Sequence, residues 1–227
     1  MSEGKMMQGR LIVLEGIDGS GKSTQFKLLT ERLEREGLSF RKIAFPRYDN
    51  SSSVLLKSYL GGEFGKNPED VNAYAASTFF FVDRFASYKT DWGKYYEEGG
   101  IILCDRYTTS NAIHQGAKLP SAEREEFLRW LYDFEFGLME LPKPDAVIYM
   151  NIDLETSLNQ MKARQISTGQ QGDIHETHVG YLKSCLEAGR AASESLGWNS
   201  IPCLRGGIMR TPEDIHEEVY SLVKGVL

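Results

Sequence analysis

Hydrophobic and polar positions along the chain follow two alternating patterns. Short aliphatic runs at residues 11–14, 101–104 and 146–152 are typical of strands buried on both faces of a parallel sheet. Weaker apolar runs predict two more strands at residues 39–45 and 200–204. Amphipathic stretches lie between these runs. They predict helices at residues 23–36, 52–60, 68–90, 122–140, 154–164 and 176–196, and a last helix after Thr211.

Capping residues mark the start of two of these helices. Asn67 supplies an N-cap, Pro68 a proline in the first turn and Asp70 an acid at the third position. The sequence therefore predicts that the long third helix starts there and runs to about Thr90. Thr211 caps the last helix in the same manner.

The alternation of strands and helices predicts the fold class. It is typical of an α/β fold in which a five-stranded parallel sheet forms the middle of three α/β/α layers. Ligands of such sheets bind beyond the carboxyl ends of the strands, where Gly16, Pro46 and Asp105 fall. A length of 227 residues favours a single domain over residues 1–227, with residues 1–9 as a flexible leader.

Composition narrows the function classes. The chain has 26 basic and 32 acidic residues, a net charge of -6 and no basic tract, which disfavours a nucleic-acid polymer or a membrane surface as partner. Its three cysteines are scattered and lack metal-ligand spacing, so they indicate free thiols in a reducing compartment, the cytoplasm. No run is long and apolar enough to predict a membrane span.

The first predicted strand ends at a glycine-rich loop. Residues 16–23 (GIDGSGKS) fit the pattern GxxxxGK[ST] between a strand and a helix. Such a loop turns backbone N–H groups toward a polyphosphate, while Lys22 reaches the β- and γ-phosphates and Ser23 holds Mg²⁺. The sequence thus predicts an ATP site with these contacts: Gly16, Ile17, Asp18, Gly19, Ser20, Gly21, Lys22, Ser23 and Thr24.

Two acidic residues belong to the same edge of the predicted sheet. Asp18 would repel bound phosphates unless a metal or a hydroxyl stands between, which indicates a second substrate nearby. Asp105 ends the third strand, where a carboxylate orients the magnesium shell, and Arg106 follows with a cation for the transferred phosphate. The alternatives are a solvated turn residue for Asp18 and a purely structural ion pair for Asp105 and Arg106.

Several longer stretches together resemble the thymidylate kinase family of nucleoside-monophosphate kinases. They are residues 11–24 (LIVLEGIDGSGKST), 45–50 (FPRYDN), 79–84 (FFFVDR), 105–115 (DRYTTSNAIHQ) and 144–153 (PDAVIYMNID). They occur in order over nearly the whole chain from Arg10. The resemblance implies a P-loop NTP hydrolase-like fold, ATP on the glycine-rich loop and dTMP across the crevice.

The resemblance also assigns residues to the acceptor. Phe80 would stack on the thymine ring and Arg84 would bind its edge, and their spacing of four puts both on one helix face. A core position is the alternative for Phe80, since at least one ring of residues 79–81 is expected in the core. The family places four further residues around the base and sugar: Ser110, Asn111, His114 and Gln115.

The acceptor phosphate has its own predicted pocket. The resemblance implies that Pro46, Arg47 and Tyr48 line it, that Arg47 and Arg106 clamp the phosphate, and that Asp18 contacts the sugar 3′ hydroxyl. An arginine suits this clamp because its planar fork fits phosphate oxygens. A surface cation after a strand is the alternative for Arg47.

The sequence departs from the family pattern at two places. Many relatives carry a tyrosine where this chain has His114, so discrimination against a ribose 2′ hydroxyl is open here, and a partly buried helix residue is the alternative reading. The fourth P-loop residue is Gly19 and the lid loop predicted at residues 165–175 lacks lysine and arginine. The cation that neutralises the moving phosphoryl group is therefore expected from Arg164, unless Arg164 is only a solvated helix end.

These observations predict a dTMP kinase that uses Mg²⁺-ATP and makes dTDP for dTTP synthesis. Its predicted catalytic residues are Asp18, Lys22, Arg106 and Arg164, and its predicted metal ligands are Ser23 and Asp105. Two alternatives remain: a kinase for another nucleoside or monophosphate such as dUMP, and a P-loop module that binds or hydrolyses ATP without an acceptor. The resemblance also suggests a homodimer formed through the aromatic-rich helix that begins near Pro68.

Overall fold

A five-stranded parallel sheet forms the centre of the molecule. The computed structural model describes residues 9–168 and 179–227. The strands are β1 (Arg10–Glu15), β2 (Arg41–Ala44), β3 (Ile101–Asp105), β4 (Ala146–Asn151) and β5 (Asn199–Pro202). Their order across the sheet is β2-β3-β1-β4-β5, and every neighbouring pair is parallel. This confirms the predicted fold class.

Helices flank the sheet. They are α1 (Lys22–Arg35), α2 (Val54–Leu60), α3 (Ala73–Ser87), α4 (Gly93–Glu97), α5 (Thr108–His114), α6 (Ser121–Tyr132), α7 (Leu154–Thr168), α8 (Val179–Ser195) and α9 (Pro212–Val226). Widened π-helical turns follow two of them, at Tyr88–Trp92 and Asp133–Leu138. A small hairpin of β6 (Leu204–Arg205) and β7 (Ile208–Met209) stands apart from the main sheet, and the sequence patterns did not predict it.

The start of α3 differs from the sequence prediction. Asn67 and Asp70 form a reciprocal capping box, but it closes only the short 3₁₀ turn Pro68–Asp70. The helix itself starts at Ala73, with the side chain of Asn72 accepting a hydrogen bond from the backbone N–H of Ala75 at 2.8 Å. Two capping asparagines follow each other within a few residues, and the prediction chose the first.

The end of α7 also differs. The helix was expected to stop at Arg164, yet it continues to Thr168 because residues 165–168 contain no glycine or proline to break it. The rest of the predicted lid loop, residues 169–175, lies outside the described residues, as do residues 1–8 of the predicted leader.

The hydrophobic core lies between the sheet and its helices. Residues 11–14 of β1 are fully buried, as the aliphatic run predicts, and each such side chain contributes about 1.5–3 kcal/mol to folding. Phe81 belongs to this core, whereas Phe80 packs at a smaller cluster formed by Leu56, Tyr59, Leu60 and Ala76. No helix within the described residues is both long and apolar enough to cross a membrane.

Candidate active site

The glycine-rich loop joins β1 to α1 and lines a cavity of about 240 Å³. Gly19 and Gly21 have φ values of +75° and +84°, a region that residues with a Cβ rarely adopt. These conformations turn the loop toward the first turn of α1, whose free N–H groups and positive dipole end favour a phosphate. The residues lining this cavity are Ile17, Asp18, Gly19, Ser20, Gly21, Lys22, Ser23, Thr24, Gln160 and Arg164.

Helix α7 packs directly on this loop. The buried hydroxyl of Ser157 donates a hydrogen bond to the carbonyl oxygen of Asp18 at 2.7 Å. A Cβ on Gly19 would lie 2.4 Å from the carbonyl oxygen of Ser157, so no side chain fits there. Arg164, two turns further along α7, lines the same cavity. The helix above the loop thus carries a candidate for the cation that the loop lacks, and Ser157 was not foreseen from the sequence.

Lys22 and Asp105 meet at the floor of this region. The Lys22 ammonium lies 3.1 Å from a carboxylate oxygen of Asp105, and both side chains are largely buried. The described residues contain no group of three or more His, Cys, Asp or Glu side chains that could enclose a metal alone. The hydroxyl of Ser23 and the carboxylate of Asp105 are oxygen donors, which suits Mg²⁺ held jointly by protein and phosphates.

A second cavity, of about 230 Å³, opens at the same edge of the sheet. We call it the acceptor cavity, and Asp18 lines both it and the glycine-rich loop cavity. Ten residues from separate parts of the chain were assigned to the acceptor, and nine of these line the cavity together with Asp18. The nine are Pro46, Tyr48, Phe80, Arg84, Arg106, Ser110, Asn111, His114 and Gln115.

Arg47 is not among the lining residues. Its guanidinium lies 3.6 Å from the carboxylate of Asp91, which belongs to the π-helical turn after α3. Its backbone N–H donates a hydrogen bond to the buried carboxylate of Asp83 at 2.7 Å. Asp83 thereby holds the loop after β2, a function that the sequence patterns did not reveal.

Asp18, Arg106 and His114 form a connected charge network. One terminal nitrogen of Arg106 lies 2.5 Å from Asp18 Oδ1, and the other lies 3.1 Å from His114 Nε2. Burial opposes ionisation of Asp18, but the positive charges of Arg106, Lys22 and Arg164 outweigh it and hold the Asp18 pKa below its ordinary value. Arg164, which lines the glycine-rich loop cavity, thus lies close enough to contribute to the lowered Asp18 pKa.

His114 is neutral in this network. Burial, with the neighbouring Arg106 charge, lowers the pKa of His114 to about 3. Arg106 can only donate, so Nε2 of His114 accepts and its proton lies on Nδ1, which faces the thiol of Cys185 at 3.6 Å. The sequence left His114 as either a specificity residue or a buried helix residue; it is buried and holds Arg106.

The backbone of Arg106 is strained. Its φ of +68° is in the left-handed region that residues other than glycine avoid. Its N–H donates to the carbonyl of Leu14 at 3.2 Å and its carbonyl accepts from the thiol of Cys104 at 2.8 Å. Burial raises the pKa of the Cys104 thiol, which keeps it protonated as a donor. Like Cys104, the other two cysteines are buried free thiols, as predicted.

Two buried glutamates organise the acceptor cavity from behind. Glu15, the last residue of β1, accepts hydrogen bonds from the hydroxyls of Thr109 at 2.8 Å and Ser110 at 2.7 Å. Glu135 forms a two-pronged ion pair with Arg84, with Arg84 Nε at 2.8 Å from Oε2. Neither glutamate was singled out from the sequence, although Glu135 follows Leu128 and Leu131 on the apolar face of a predicted helix, where a charged residue is unusual.

The acceptor cavity also contains polar atoms that the protein does not satisfy. Gln115 is fully buried, and among the described residues neither its amide oxygen nor its amide nitrogen has a hydrogen-bond partner. Buried polar groups are normally paired. Because Gln115 lines the acceptor cavity, these atoms are suited to a polar ligand or its water.

Comparisons with known proteins identify a family model, relatives and a solved structure that are similar to this chain. The family model for thymidylate kinase matches residues 14–190. The chain is 32% identical over 170 residues to a thymidylate kinase of Mycobacterium tuberculosis, covering 73% of this chain and 77% of the relative. It is 29% identical over 218 residues to a probable thymidylate kinase of Pyrococcus horikoshii, covering 96% and 97%. The solved structure of a thymidylate kinase from Candida albicans superposes with a TM-score of 0.67 at 21% identity, covering 96% of this chain and 92% of the other, and supports the fold.

Proposed function

The chain belongs to the thymidylate kinase family, and from this premise we propose how its two cavities share the substrates of one reaction. It is a nucleoside-monophosphate kinase that transfers a phosphoryl group from ATP to dTMP, giving ADP and dTDP for dTTP synthesis. The observation that carries the assignment of sites is that Asp18 lines both cavities. A donor phosphate on the loop and an acceptor phosphate in the second cavity would therefore meet beside one carboxylate.

The donor binds along the glycine-rich loop. Loop N–H groups and the first turn of α1 hold the phosphates, with Lys22 pairing the outer ones. Ser23 and Asp105 would hold Mg²⁺, which would supply positive charge to offset that of the phosphates. Lys22 pairs with Asp105 at 3.1 Å, which holds the lysine beside the residues predicted to bind Mg²⁺.

The acceptor binds across the second cavity. Phe80 stacks on the thymine ring, and Arg84 with Asn111 contacts the base edge. Arg106 binds the acceptor phosphate through its planar fork, and Arg47 joins it if its guanidinium leaves Asp91. Asp18 orients the acceptor through the sugar 3′ hydroxyl. Ser110, His114 and Gln115 complete the wall of the cavity.

Transfer itself requires positioning and charge neutralisation more than covalent chemistry. Arg106 and Arg164 bring positive charge from the acceptor side and from α7 toward the point where the cavities meet. A lid that closes over the transferred phosphoryl group would exclude water and prevent hydrolysis of ATP; the residues predicted for it beyond α7, 169–175, lie outside the described residues. Each catalytic side chain thus acts by holding an oxygen in line or by stabilising negative charge on it.

The test is ADP release from Mg²⁺-ATP in a coupled assay with dTMP, dUMP, thymidine, UMP, CMP, AMP or no acceptor. Stimulation chiefly by dTMP is expected. Comparable stimulation by UMP would show that a histidine at position 114 admits a ribose, and ADP release that ignores every acceptor would contradict the proposed use of the second cavity.

Exposed side chains of α3 and the free cysteines support proposals about the oligomeric state and the location of the enzyme. We propose a single domain that forms a homodimer through α3, which exposes Tyr74 and Val82 on its outer side. Three reduced cysteines support a cytoplasmic location. Sedimentation of the wild type beside Val82→Glu tests the interface, because a charge there should shift the protein toward monomers.

A further inference from the structure

Glu135 is a fully buried charged group behind the acceptor cavity, and it does not line that cavity. It is fully buried in the π-helical turn after α6. Its carboxylate receives hydrogen bonds from Arg84 of α3 and from Thr108 and Asn111 of α5. The carboxylate therefore ties together three separate elements, and two of its partners, Arg84 and Asn111, do line the cavity.

The first effect of this arrangement is on Arg84. Nε and one terminal nitrogen of the guanidinium are directed at the two oxygens of Glu135. The plane of the guanidinium is thereby fixed, and Nη1 is the nitrogen that Glu135 does not engage. A buried guanidinium held by such a fork presents a donor to the cavity in one orientation.

The second effect is on the amide of Asn111. Its Nδ2 faces Glu135 Oε1 at 3.5 Å and the carbonyl oxygen of Ser77 at 3.3 Å. Both partners can only accept, so the amide nitrogen must point to them and the amide oxygen is left for the cavity. A flipped amide would set its oxygen against a carboxylate and a carbonyl.

Together these effects give the cavity a fixed pattern of hydrogen-bond donor and acceptor. It offers a donor from Arg84 and an acceptor from Asn111. A pyrimidine with a 4-oxo group and a protonated N3, as in thymine or uracil, presents the matching acceptor and donor, whereas cytosine presents an amino donor and an unprotonated N3.

We propose that Glu135 is a positioning residue that selects 4-oxo over 4-amino pyrimidine monophosphates by fixing the side chains of Arg84 and Asn111. This inference rests on the proposed function, because it assumes that the base occupies the acceptor cavity. It assigns base selectivity to a residue that never touches the base. Thr108, whose hydroxyl lies 2.6 Å from Oε2 of Glu135, supports the same orientation from outside the cavity.

The experiment compares dTMP with dCMP as acceptors in the wild type and in Glu135→Gln. A neutral amide removes the ion pair with Arg84 and can donate as well as accept, so it no longer fixes the Asn111 amide. The ratio of kcat/KM for dTMP to that for dCMP should fall about ten- to hundredfold, mainly through a higher KM for dTMP. Glu135→Asp keeps the charge and should restore part of the ratio.

Controls separate selection from stability. Glu126→Gln changes an exposed glutamate of α6 and should leave the ratio unchanged. Should Glu135→Gln fail to fold, Thr108→Val, which removes one hydrogen bond to Glu135, is expected to lower the ratio by a smaller factor. An equal loss with both acceptors, or an unchanged ratio in a folded variant, would overturn the inference. A wild type without transfer to dTMP would instead overturn the proposed function.

Discussion

The two halves of the active site are built on different physical principles. The donor half is one continuous stretch, residues 16–24, and depends on backbone conformation and on space beneath α7. The acceptor half collects side chains from α3, α5 and the loops after β2 and β3, and depends on ion pairs between protein side chains. The donor half should therefore fail through steric changes, and the acceptor half through changes of charge.

Lys22 is the exception on the donor side, because its function is electrostatic, and it carries the largest expected effect. Lys22→Ala should lower kcat by about 10²- to 10³-fold, since a fixed charge on the transferred phosphoryl group is lost. The variant should remain folded, as followed by circular dichroism. Lys27→Ala, which changes an exposed lysine of the same helix, is the matched control. Wild-type turnover in Lys22→Ala would contradict the assignment of the donor site.

The steric character of the donor half can be tested with two glycines of the same loop. Gly19→Ala and Gly21→Ala both place a Cβ at positive φ, which costs about 1 kcal/mol each. Only Gly19→Ala also meets a neighbour, Ser157 O at 2.4 Å, which adds about 1–3 kcal/mol. Urea unfolding should therefore rank Gly19→Ala as the less stable variant, with the higher KM for ATP. Equal behaviour of the two variants would mean that α7 does not restrict the loop.

The charge character of the acceptor half predicts a dependence of stability on pH. His114 has a pKa of about 3 in the folded protein and about 6.5 when unfolded, so the unfolded chain binds a proton more readily between these values. Stability that depends on neutral His114 is present above pH 6.5 and is lost as the pH falls toward 3. Between pH 7 and pH 5 the wild type should lose about 2 kcal/mol more than His114→Gln.

Denaturant unfolding at the two pH values measures this difference. Glutamine at position 114 can still accept from Arg106 but does not titrate, so the Arg106 interaction is retained in the comparison. Parallel pH profiles for the wild type and His114→Gln would show that His114 is not buried in its neutral form.

The smallest expected effect distinguishes the contribution of the Arg106 backbone conformation to stability from the contribution of its charge to binding. Arg106→Ala and Arg106→Gly both remove the guanidinium and should bind dTMP equally poorly. Glycine adopts a φ of +68° without strain, so Arg106→Gly should be more stable than Arg106→Ala by about 1 kcal/mol. Thermal unfolding of the two variants measures the difference. A more stable alanine variant would show that the left-handed conformation is not maintained.

The same contrast explains what the sequence could predict. The donor loop was predicted residue by residue because its chemistry is contiguous and its flanking strand and helix have clear periodicity. The family motifs predicted that Phe80, Arg84 and Arg106 share a site with Asp18, and all four side chains line one cavity. Buried aliphatic strands likewise fixed the fold class, since few arrangements bury them on both faces.

Buried partners of the site residues were not predicted. Glu15, Asp83 and Glu135 act through contacts with residues far away in the chain, and such contacts leave no local motif. The sequence also could not show that Asp91 holds the Arg47 guanidinium, because that pairing depends on the path of the π-helical turn. Which of two capping asparagines starts the long helix also depends on packing with distant parts of the chain. The sequence therefore predicts the start at Asn67, whereas α3 begins after Asn72.

The central place of β1 in the sheet has a consequence for how the chain matures on the ribosome. Its two neighbours are β3 and β4, which begin at Ile101 and Ala146, so its backbone groups stay unpaired while much of the protein is still being made. Helix α7, which covers the loop after β1, emerges later still. The glycine-rich loop is therefore synthesised before the strands and the helix that enclose it, and a bound nucleotide can stabilise the folded domain but not this loop in the nascent chain.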